Sequence, residues 1–202
     1  MKNYFLLILG FMQLSFSVAQ AQNNSIFKQE WAWLGLDFSQ VKLVGAEGFN
    51  DLSQIKDYYF DQWNLLMYTE NSKYNIPNNM GLRSINHYPN FFEQINSTTP
   101  LKGLVVNNEV YLSLSQIEEI VANYSFDEVI EEVAIVLIVE SLNKRDLYGA
   151  FWTAVINTKT NDLIFAERML GKPKGFGFRN YWAGSIYNVI KQYRKKKWYR
   201  YY

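Results

Sequence analysis

The 202-residue chain predicts a single α+β domain whose sheet is mainly antiparallel. Residues 133–142 are apolar at both parities, which is typical of a central strand covered on both faces. Two further strand-like segments, residues 148–157 and 163–170, follow after short connections, and short connections favour antiparallel pairing. We therefore expect a three-strand meander over about residues 133–170. The helices that should pack against it lie near residues 52–70, 113–124 and 179–197.

The first 21 residues have the organisation of a secretory signal peptide. Lys2 supplies a basic start, residues 4–18 are mostly apolar, and Ala19 and Ala21 form a small-x-small cleavage pattern. The apolar stretch is shorter than the roughly 20 residues that span a bilayer, which disfavours a membrane anchor. We expect cleavage after Ala21, with Ala19 as the alternative, leaving residues 22–202 as one domain. The absence of cysteine suits an oxidising compartment, so we place the chain in the periplasm or outside a bacterial cell.

The amino-terminal half of the mature chain reads as a strand followed by a helix. Residues 31–44 are rich in β-formers around a central turn, which indicates one bent strand or a hairpin. Asn50 or Asp51 can cap the helix that follows. Its apolar side chains recur at steps of three and four residues, at Leu52, Ile55, Tyr59, Trp63 and Leu66. Residues 71–112 contain many turn formers and prolines, so we expect short strands and loops there.

Two further helices are marked by caps and apolar periodicity. Ser113 and Gln116 have the spacing of a capping box, which begins a short helix. The closing helix follows the glycine-containing segment 171–177. One face of this helix carries the apolar side chains Trp182, Ile186, Val189, Ile190 and Tyr193.

The residue inventory removes most familiar catalytic mechanisms. Without cysteine there is no thiolate nucleophile, disulfide or cysteine zinc site, and the lone His87 excludes two-histidine chemistry. No Gly-x-Ser-x-Gly elbow is present to supply a triad serine. We read the carboxylates at Asp57 and Asp61, and those in residues 127–132, as solvated acidic faces. The sequence therefore predicts no catalytic residue, no cofactor and no metal.

Glu140 is the one carboxylate that falls near the end of a predicted buried strand. A buried charge is costly unless it is paired and hydrogen-bonded. Arg168, on a strand predicted to lie nearby, is the candidate partner. We expect a structural ion pair between Glu140 and Arg168.

The segment between the last strand and the last helix is a candidate anion seat. Glycine permits positive φ, so successive N–H groups can point at one anion, and a helix amino terminus adds partial positive charge. A cation at that position opposes the helix dipole and calls for an anionic partner. The alternative is a turn that serves packing alone. The residues of this candidate seat are Lys172, Lys174, Gly175, Gly177, Arg179 and Asn180.

The carboxy-terminal tail mixes cations with aromatic residues and contains no acid. One interpretation is a helix end whose cations compensate the dipole while its aromatic rings pack on the body. The other is an adhesive patch for anionic envelope polymers or a lipid surface. The residues concerned are Lys195, Lys196, Lys197, Trp198 and Arg200.

Two motifs carry a resemblance to known proteins. Trp33-Leu-Gly-Leu-Asp-Phe-Ser39 and Gly175-Phe-Gly-Phe-Arg-Asn-Tyr-Trp-Ala-Gly-Ser-Ile-Tyr187 resemble those of a family of uncharacterised secreted proteins of Bacteroidetes. More distantly, the order of elements, with an Asn157-Thr-Lys-Thr160 turn in the meander, is similar to the amino-terminal domain of TolB and to the curli-export lipoprotein. The distant resemblance implies an envelope protein that binds partners without doing chemistry.

The distribution of charge refines this expectation of a binding protein. The whole chain carries a net charge of +1, but residues 22–167 carry −10 and residues 168–202 carry +10. We therefore expect a non-enzymatic binding or assembly module that uses its basic carboxy-terminal region. Its partner would be an envelope protein or an anionic polymer, with no nucleic acid and no transmembrane segment after signal removal. The alternatives are a glycan-binding accessory protein and, less favoured, a hydrolase. The glycan alternative depends on exposure of Trp31, Trp33, Trp152 and Trp182.

Overall fold

The structure, a computed structural model, describes residues 26–196. The predicted signal peptide and the tail residues Lys197, Trp198 and Arg200 lie outside the described residues. The strands are β1 (Glu30–Asp37), β2 (Lys42–Val44), β3 (Ser84–His87), β4 (Val105–Val106), β5 (Val133–Asn143), β6 (Tyr148–Asn157) and β7 (Leu163–Gly171). The helices are α1 (Leu52–Gln54), α2 (Phe60–Thr69), α3 (Asn71–Tyr74), α4 (Ile76–Met80), α5 (Glu93–Ser97), α6 (Leu114–Ala122) and α7 (Phe178–Lys196), with a π-helical turn, Ile55–Tyr59, joining α1 to α2.

The seven strands form one mixed sheet around β5. β1 and β2 lie one after the other along one edge of β5, and both run parallel to it. β3 pairs in parallel with β1, and β4 with β2, on the side away from β5. β6 occupies the opposite edge of β5 and β7 follows beyond β6, both with antiparallel pairing.

The predicted α+β class with a mainly antiparallel sheet is wrong. Four of the six strand pairings among the described residues are parallel, so the protein is an α/β protein with a mixed sheet. An apolar run that is covered on both faces fits parallel and antiparallel neighbours alike, and the first neighbour of β5 lies about a hundred residues upstream. The segment 71–112 also departs from expectation, because it contains the short helices α3, α4 and α5 besides its two strands.

Two hydrophobic clusters cover the two faces of β5. Side chains of β5 alternate between them, with Ile135 and Leu137 on one face and Val136 and Ile138 on the other. The first cluster is completed mainly by α2, α4 and α7, and the second by α6 and the aromatic residues around it. Burial of apolar surface on both faces makes this strand the centre of the core.

Two asparagine side chains take the place of a strand along the outer edge of β1. β3 pairs only with residues 30–33, and beyond it Asn64 accepts a hydrogen bond from Leu36 N–H (2.6 Å) and donates to Leu36 C=O (3.0 Å). Asn96 donates to the same carbonyl (3.1 Å) and accepts from Phe38 N–H (2.7 Å). A Cβ at Gly35 would lie 2.3 Å from Asn64 Oδ1, and its φ of +103° also favours glycine. The amides thus satisfy buried backbone that no strand reaches.

We expect Asn64→Ala to lower the free energy of unfolding by about 1–3 kcal/mol, because it leaves the buried Leu36 N–H without a partner. Urea denaturation of both proteins measures this difference. Asn78→Ala, which truncates an exposed asparagine on α4, serves as the control and should change stability little. Equal losses in the two variants would contradict the role assigned to Asn64.

Candidate functional site

The structure brings Glu140 and Arg168 together. Arg168 donates to Glu140 Oε1 through Nε (2.9 Å) and through one terminal nitrogen (2.6 Å). Glu140 Oε2 accepts from Leu112 N–H and from Trp152 Nε1, each at 3.0 Å. The Glu140 side chain is 1% exposed, and the register of β5 against β6 shifts beside it, between Val139 and Ser141. Burial disfavours the charge on Arg168, but hydrogen bonding and attraction to Glu140 raise its pKa above the ordinary value.

A second carboxylate, Glu109, joins this cluster and was missed by the sequence analysis. It lies between β4 and α6 and accepts hydrogen bonds from Ser141 Oγ and Asn143 Nδ2, each at 2.8 Å, and from the hydroxyl of Tyr148. Burial and the contact with Glu109 raise the pKa of Tyr148 to about 12. Glu109 stands in a segment without apolar periodicity, so no local pattern marks it. Its role depends on partners from β5 and β6.

The cluster of Glu109, Glu140 and Arg168 is a cross-link between a loop and the sheet. All four carboxylate oxygens accept hydrogen bonds from the protein itself. The Arg168 guanidinium also lies over the ring of Tyr111, 5.0 Å from its centroid. This arrangement holds the segment before α6 against β5, β6 and β7.

The Trp33–Ser39 motif is explained by a buried carboxylate at the end of β1. Asp37 is fully buried and accepts hydrogen bonds from Tyr124 OH (2.5 Å) and Ser39 N–H (2.7 Å). Burial raises the pKa of Asp37 above its ordinary value of 3.8, and these hydrogen bonds oppose that rise only in part. The motif therefore combines a glycine that admits Asn64 with an acid that fixes the segment following α6.

The Gly175–Tyr187 motif packs the loop after β7 against the first turns of α7. Lys174 N–H donates to Tyr181 C=O at 3.1 Å. A Cβ on Gly184 would lie 2.1 Å from Lys174 C=O, and one on Gly175 would lie 2.7 Å from Asn180 C=O. Two of the glycines are thus required by the close approach of loop and helix backbone.

The structure divides the residues of the candidate anion seat between two places. Lys174, Gly175, Gly177 and Asn180 are exposed around the turn that precedes α7. Arg179 is half-buried there, and its backbone carbonyl accepts a hydrogen bond from Trp63 Nε1 (2.8 Å). Lys172 lies apart from them, beside the middle of α7. Binding of an anion by all six residues stays a prediction. Close packing against Asn180 already accounts for the glycine at position 175 without a ligand.

A groove runs between the outer edge of β7 and α7, and it collects lysines. Asn188 Nδ2 donates to Lys172 C=O (2.5 Å) and Gln192 Nε2 to Leu170 C=O (2.8 Å), which fixes the helix along the strand. Residues three and four apart share a helix face, so Lys191 and Lys195 lie on the same face as Asn188 and also line the groove. The groove has a volume of about 350 Å³. We name it the lysine groove; its lining residues are Leu170, Lys172, Asn188, Lys191, Gln192 and Lys195.

Most cations of the last segment have no acidic partner. Arg168 pairs with Glu140, and Lys196 forms a close ion pair with Glu167. Within residues 26–196, no carboxylate oxygen lies within 4.0 Å of the other six cations from residue 168 onward. Those six are Lys172, Lys174, Arg179, Lys191, Arg194 and Lys195. The last three lie near the carboxy terminus of α7, where the helix dipole favours cations.

The four tryptophans on which the glycan-binding alternative depends do not form an exposed stacking platform. Trp31, Trp33 and Trp182 are at most 2% exposed and belong to the core. Trp152 is half-buried and its indole N–H is engaged by Glu140. A glycan-binding alternative based on these four side chains therefore lacks its physical basis.

The lone histidine, His87, lies at the end of β3 between two surface clefts. Burial lowers its pKa, which favours the neutral imidazole. Asp127 and Glu128 line the larger cleft with it, together with Tyr88 and Phe91. Among the described residues, no group of three or more histidine, aspartate or glutamate side chains is placed to hold a metal ion.

Comparisons with known proteins provide no family. No protein-family model matches the chain, and no curated protein matches it. Among solved structures, the C-terminal domain of LpoB from Salmonella enterica is similar over 69% of this chain and 82% of that chain, at 12% identity and a TM-score of 0.30. Neither fold nor function is transferred at that score, and the resemblance to a Bacteroidetes family stays a prediction. No helix within residues 26–196 combines the length and the apolar character needed to cross a membrane.

We expect Arg168→Met to lower the free energy of unfolding by about 3–5 kcal/mol, because it leaves Glu140 charged and buried without its partner. Adding Glu140→Gln to that variant should recover much of the loss, since Leu112 N–H and Trp152 Nε1 can still donate to the amide oxygen. Lys196→Met, which breaks a more exposed ion pair, is the control and should cost less than about 1 kcal/mol. Urea denaturation measures the free energy of unfolding of the four proteins. A double variant no more stable than Arg168→Met would contradict the ion-pair interpretation.

The raised pKa of Asp37 predicts a pH dependence of stability. A carboxyl that is harder to ionise in the folded state contributes stability that is complete below the unfolded pKa of about 3.8 and is lost as pH rises through the folded pKa. The reference is Asp37→Asn, whose amide oxygen can still accept hydrogen bonds from Tyr124 and Ser39. Relative to this variant, the free energy of unfolding of the wild-type protein should be highest in acid and should fall as pH rises through the folded-state pKa of Asp37. Urea denaturation over a series of pH values measures the difference. A difference that is constant with pH would show that Asp37 titrates normally.

Proposed function

We propose that this protein is an exported, non-enzymatic binding module of the bacterial envelope whose lysine groove binds an anionic polymer. The observation that carries the proposal is the set of six cations, on the last strand's connection and helix, that have no carboxylate partner among the described residues. The predicted signal peptide supports the location.

The geometry of the groove favours a chain of anionic groups over a single small anion. Lys172, Lys191 and Lys195 line it along a helix and a strand that run side by side, and the side-chain amides of Asn188 and Gln192 are already engaged with backbone. The lysine ammonium groups are therefore the donors left for a ligand. Lysine binds phosphates and carboxylates as a point charge, which suits repeated anions without fixed geometry.

The distribution of charge over the chain supports an oriented encounter. The segment from residue 168 onward contains ten cations and no acidic residue, whereas residues 22–167 carry a net charge of −10. Opposite potentials on two parts of one protein steer an anionic partner towards the basic part and repel it elsewhere. The acidic body therefore disfavours unproductive binding outside the groove.

A binding role also fits what the buried charges do. The Glu109–Glu140–Arg168 cluster makes its hydrogen bonds within the protein, so it stabilises the structure and leaves recognition to the surface.

An acidic envelope protein is the alternative partner. It is less favoured because a folded protein needs a larger complementary face than a narrow groove provides.

Removing the groove lysines should weaken binding to polyanions. We expect Lys172→Gln/Lys191→Gln/Lys195→Gln to reduce affinity for inorganic polyphosphate and for alginate tenfold to 100-fold, at about 0.5–1 kcal/mol for each exposed charge contact. The affinity of the wild-type protein should fall steeply as salt is added, since exposed charges are screened. Fluorescence anisotropy with end-labelled polymers measures both effects, and neutral dextran should not bind.

Lys28→Gln/Lys102→Gln/Lys159→Gln is the matched control, because it removes the same charge from exposed positions outside the groove. It should retain most of the wild-type affinity. Equal losses in the two triple variants would show that only net charge matters and would refute a site at the groove. A wild-type protein that binds neither polymer at low salt would refute the proposal as a whole.

A further inference from the structure

Phe176 is the one aromatic residue of the Gly175–Tyr187 motif that packing leaves unexplained. Phe178 packs against Tyr59 and Trp63, Trp182 is buried, and Tyr181 lies beneath the ammonium group of Lys144. Phe176 is 96% exposed. Single exposed apolar side chains are common on protein surfaces, so the significance of Phe176 depends on how its loop is held and on what lies beside it.

The loop that carries Phe176 is held in place on both sides. Gly175 lies against the backbone of Asn180, and the Lys174 N–H and Tyr181 C=O are hydrogen-bonded. After the phenylalanine, Gly177 C=O accepts the first hydrogen bond of α7, from Tyr181 N–H (2.9 Å). The exposure of Phe176 therefore follows from a fixed backbone, and fraying of a chain end does not explain it.

Cations and a second apolar side chain lie at the same end of the sheet. Gly149 pairs with Gly171, so the turn between β5 and β6 is adjacent to the loop after β7. That turn carries Arg145, which contacts Asp146, and Leu147, which is 49% exposed. Lys174 lies two residues before Phe176 on its loop, and the half-buried Arg179 lies in the first turn of α7; neither has a carboxylate partner among residues 26–196. An exposed apolar tip with cations near it in the chain is complementary to an anionic surface with an apolar interior.

We infer that the loop around Phe176 inserts into an anionic lipid bilayer, with the ring at the boundary of headgroups and acyl chains. The inference goes beyond the proposed function, because it assigns a second anionic partner, a lipid surface, to the loop that precedes α7. Aromatic rings favour this depth, and lysine and arginine beside them contact lipid phosphates. One apolar insertion together with a basic patch gives reversible attachment, which suits a peripheral protein.

A reporter at position 176 tests insertion directly. The chain contains no cysteine, so Phe176→Cys can be labelled uniquely with nitrobenzoxadiazole, whose emission increases and shifts to the blue in lipid. We expect that change with phosphatidylglycerol vesicles and not with phosphatidylcholine vesicles. Ile130→Cys is the matched control: Ile130 is 82% exposed and precedes β5, at the opposite end of the sheet. Its label should not respond.

A second variant tests the contribution of the ring to affinity without a label. Phe176→Ser should reduce binding to phosphatidylglycerol vesicles about tenfold, as expected for partial burial of one aromatic ring, and leave binding to polyphosphate unchanged. Circular dichroism checks that both cysteine variants and the serine variant fold. Vesicle flotation in low and high salt measures the affinity.

The outcomes separate this inference from the proposed function. Binding to vesicles with no change in the label at position 176, or with an equal change at position 130, overturns insertion while polyanion binding by the lysine groove stands. Binding to polyphosphate but not to vesicles also overturns the inference of insertion and leaves the proposed function standing. A pocket on a partner protein would then be the remaining receptor for Phe176. A wild-type protein that binds neither overturns both.

Discussion

The complete burial of β5 is the constraint on which the rest of the structure depends. All eleven residues of this strand are buried, with neighbours along both edges and a hydrophobic cluster on each face. No water reaches the strand, so any polar group on it must find its partner within the protein. The apolar part of the strand meets this condition through the sheet ladder alone, whereas the polar side chains of Glu140, Ser141 and Asn143 need further partners.

The segment before α6 packs across the carboxyl end of β5 because polar side chains there need partners. These side chains are Glu140, Ser141 and Asn143. The register irregularity at Glu140 places its carboxylate where Arg168 and Trp152 can donate. Ser141 and Asn143 then require Glu109, which the segment before α6 provides. The polar cluster is thus a consequence of extending a buried strand past its apolar run. It stabilises the connection to α6.

The surfaces proposed to bind a partner lie beside β7, the outermost strand on this side of the sheet. β7 pairs with one strand only, and α7 covers its outer edge through Asn188 and Gln192 while the lysines stay in water. The loop that joins β7 to α7 is packed through its glycines and presents Phe176 outward. A rigid framework behind an exposed basic edge is suited to binding an extended or planar anionic partner, because little conformational freedom is lost on association.

The sequence by itself determined the features that depend on neighbouring residues. The apolar periodicity located the helical stretches from residue 52 and at the carboxy-terminal end, and the two-parity run located β5. The need of Glu140 for a partner and the concentration of cations after residue 167 could also be predicted, since both follow from residue type and local setting.

Only the tertiary structure decided which distant segments meet. The parallel course of β1 and β2 along β5, the partnership of Glu109 with β5 and the two asparagines along β1 join residues from 28 to about a hundred positions apart. Apolar patterning states that a residue is buried, but it does not state against which strand or in which direction. The same limit applies to the tryptophans and to the lysine groove, whose exposure depends on the packing of α7 against β7. Periodicity is a property of the local chain, whereas pairing and exposure are settled by the whole core.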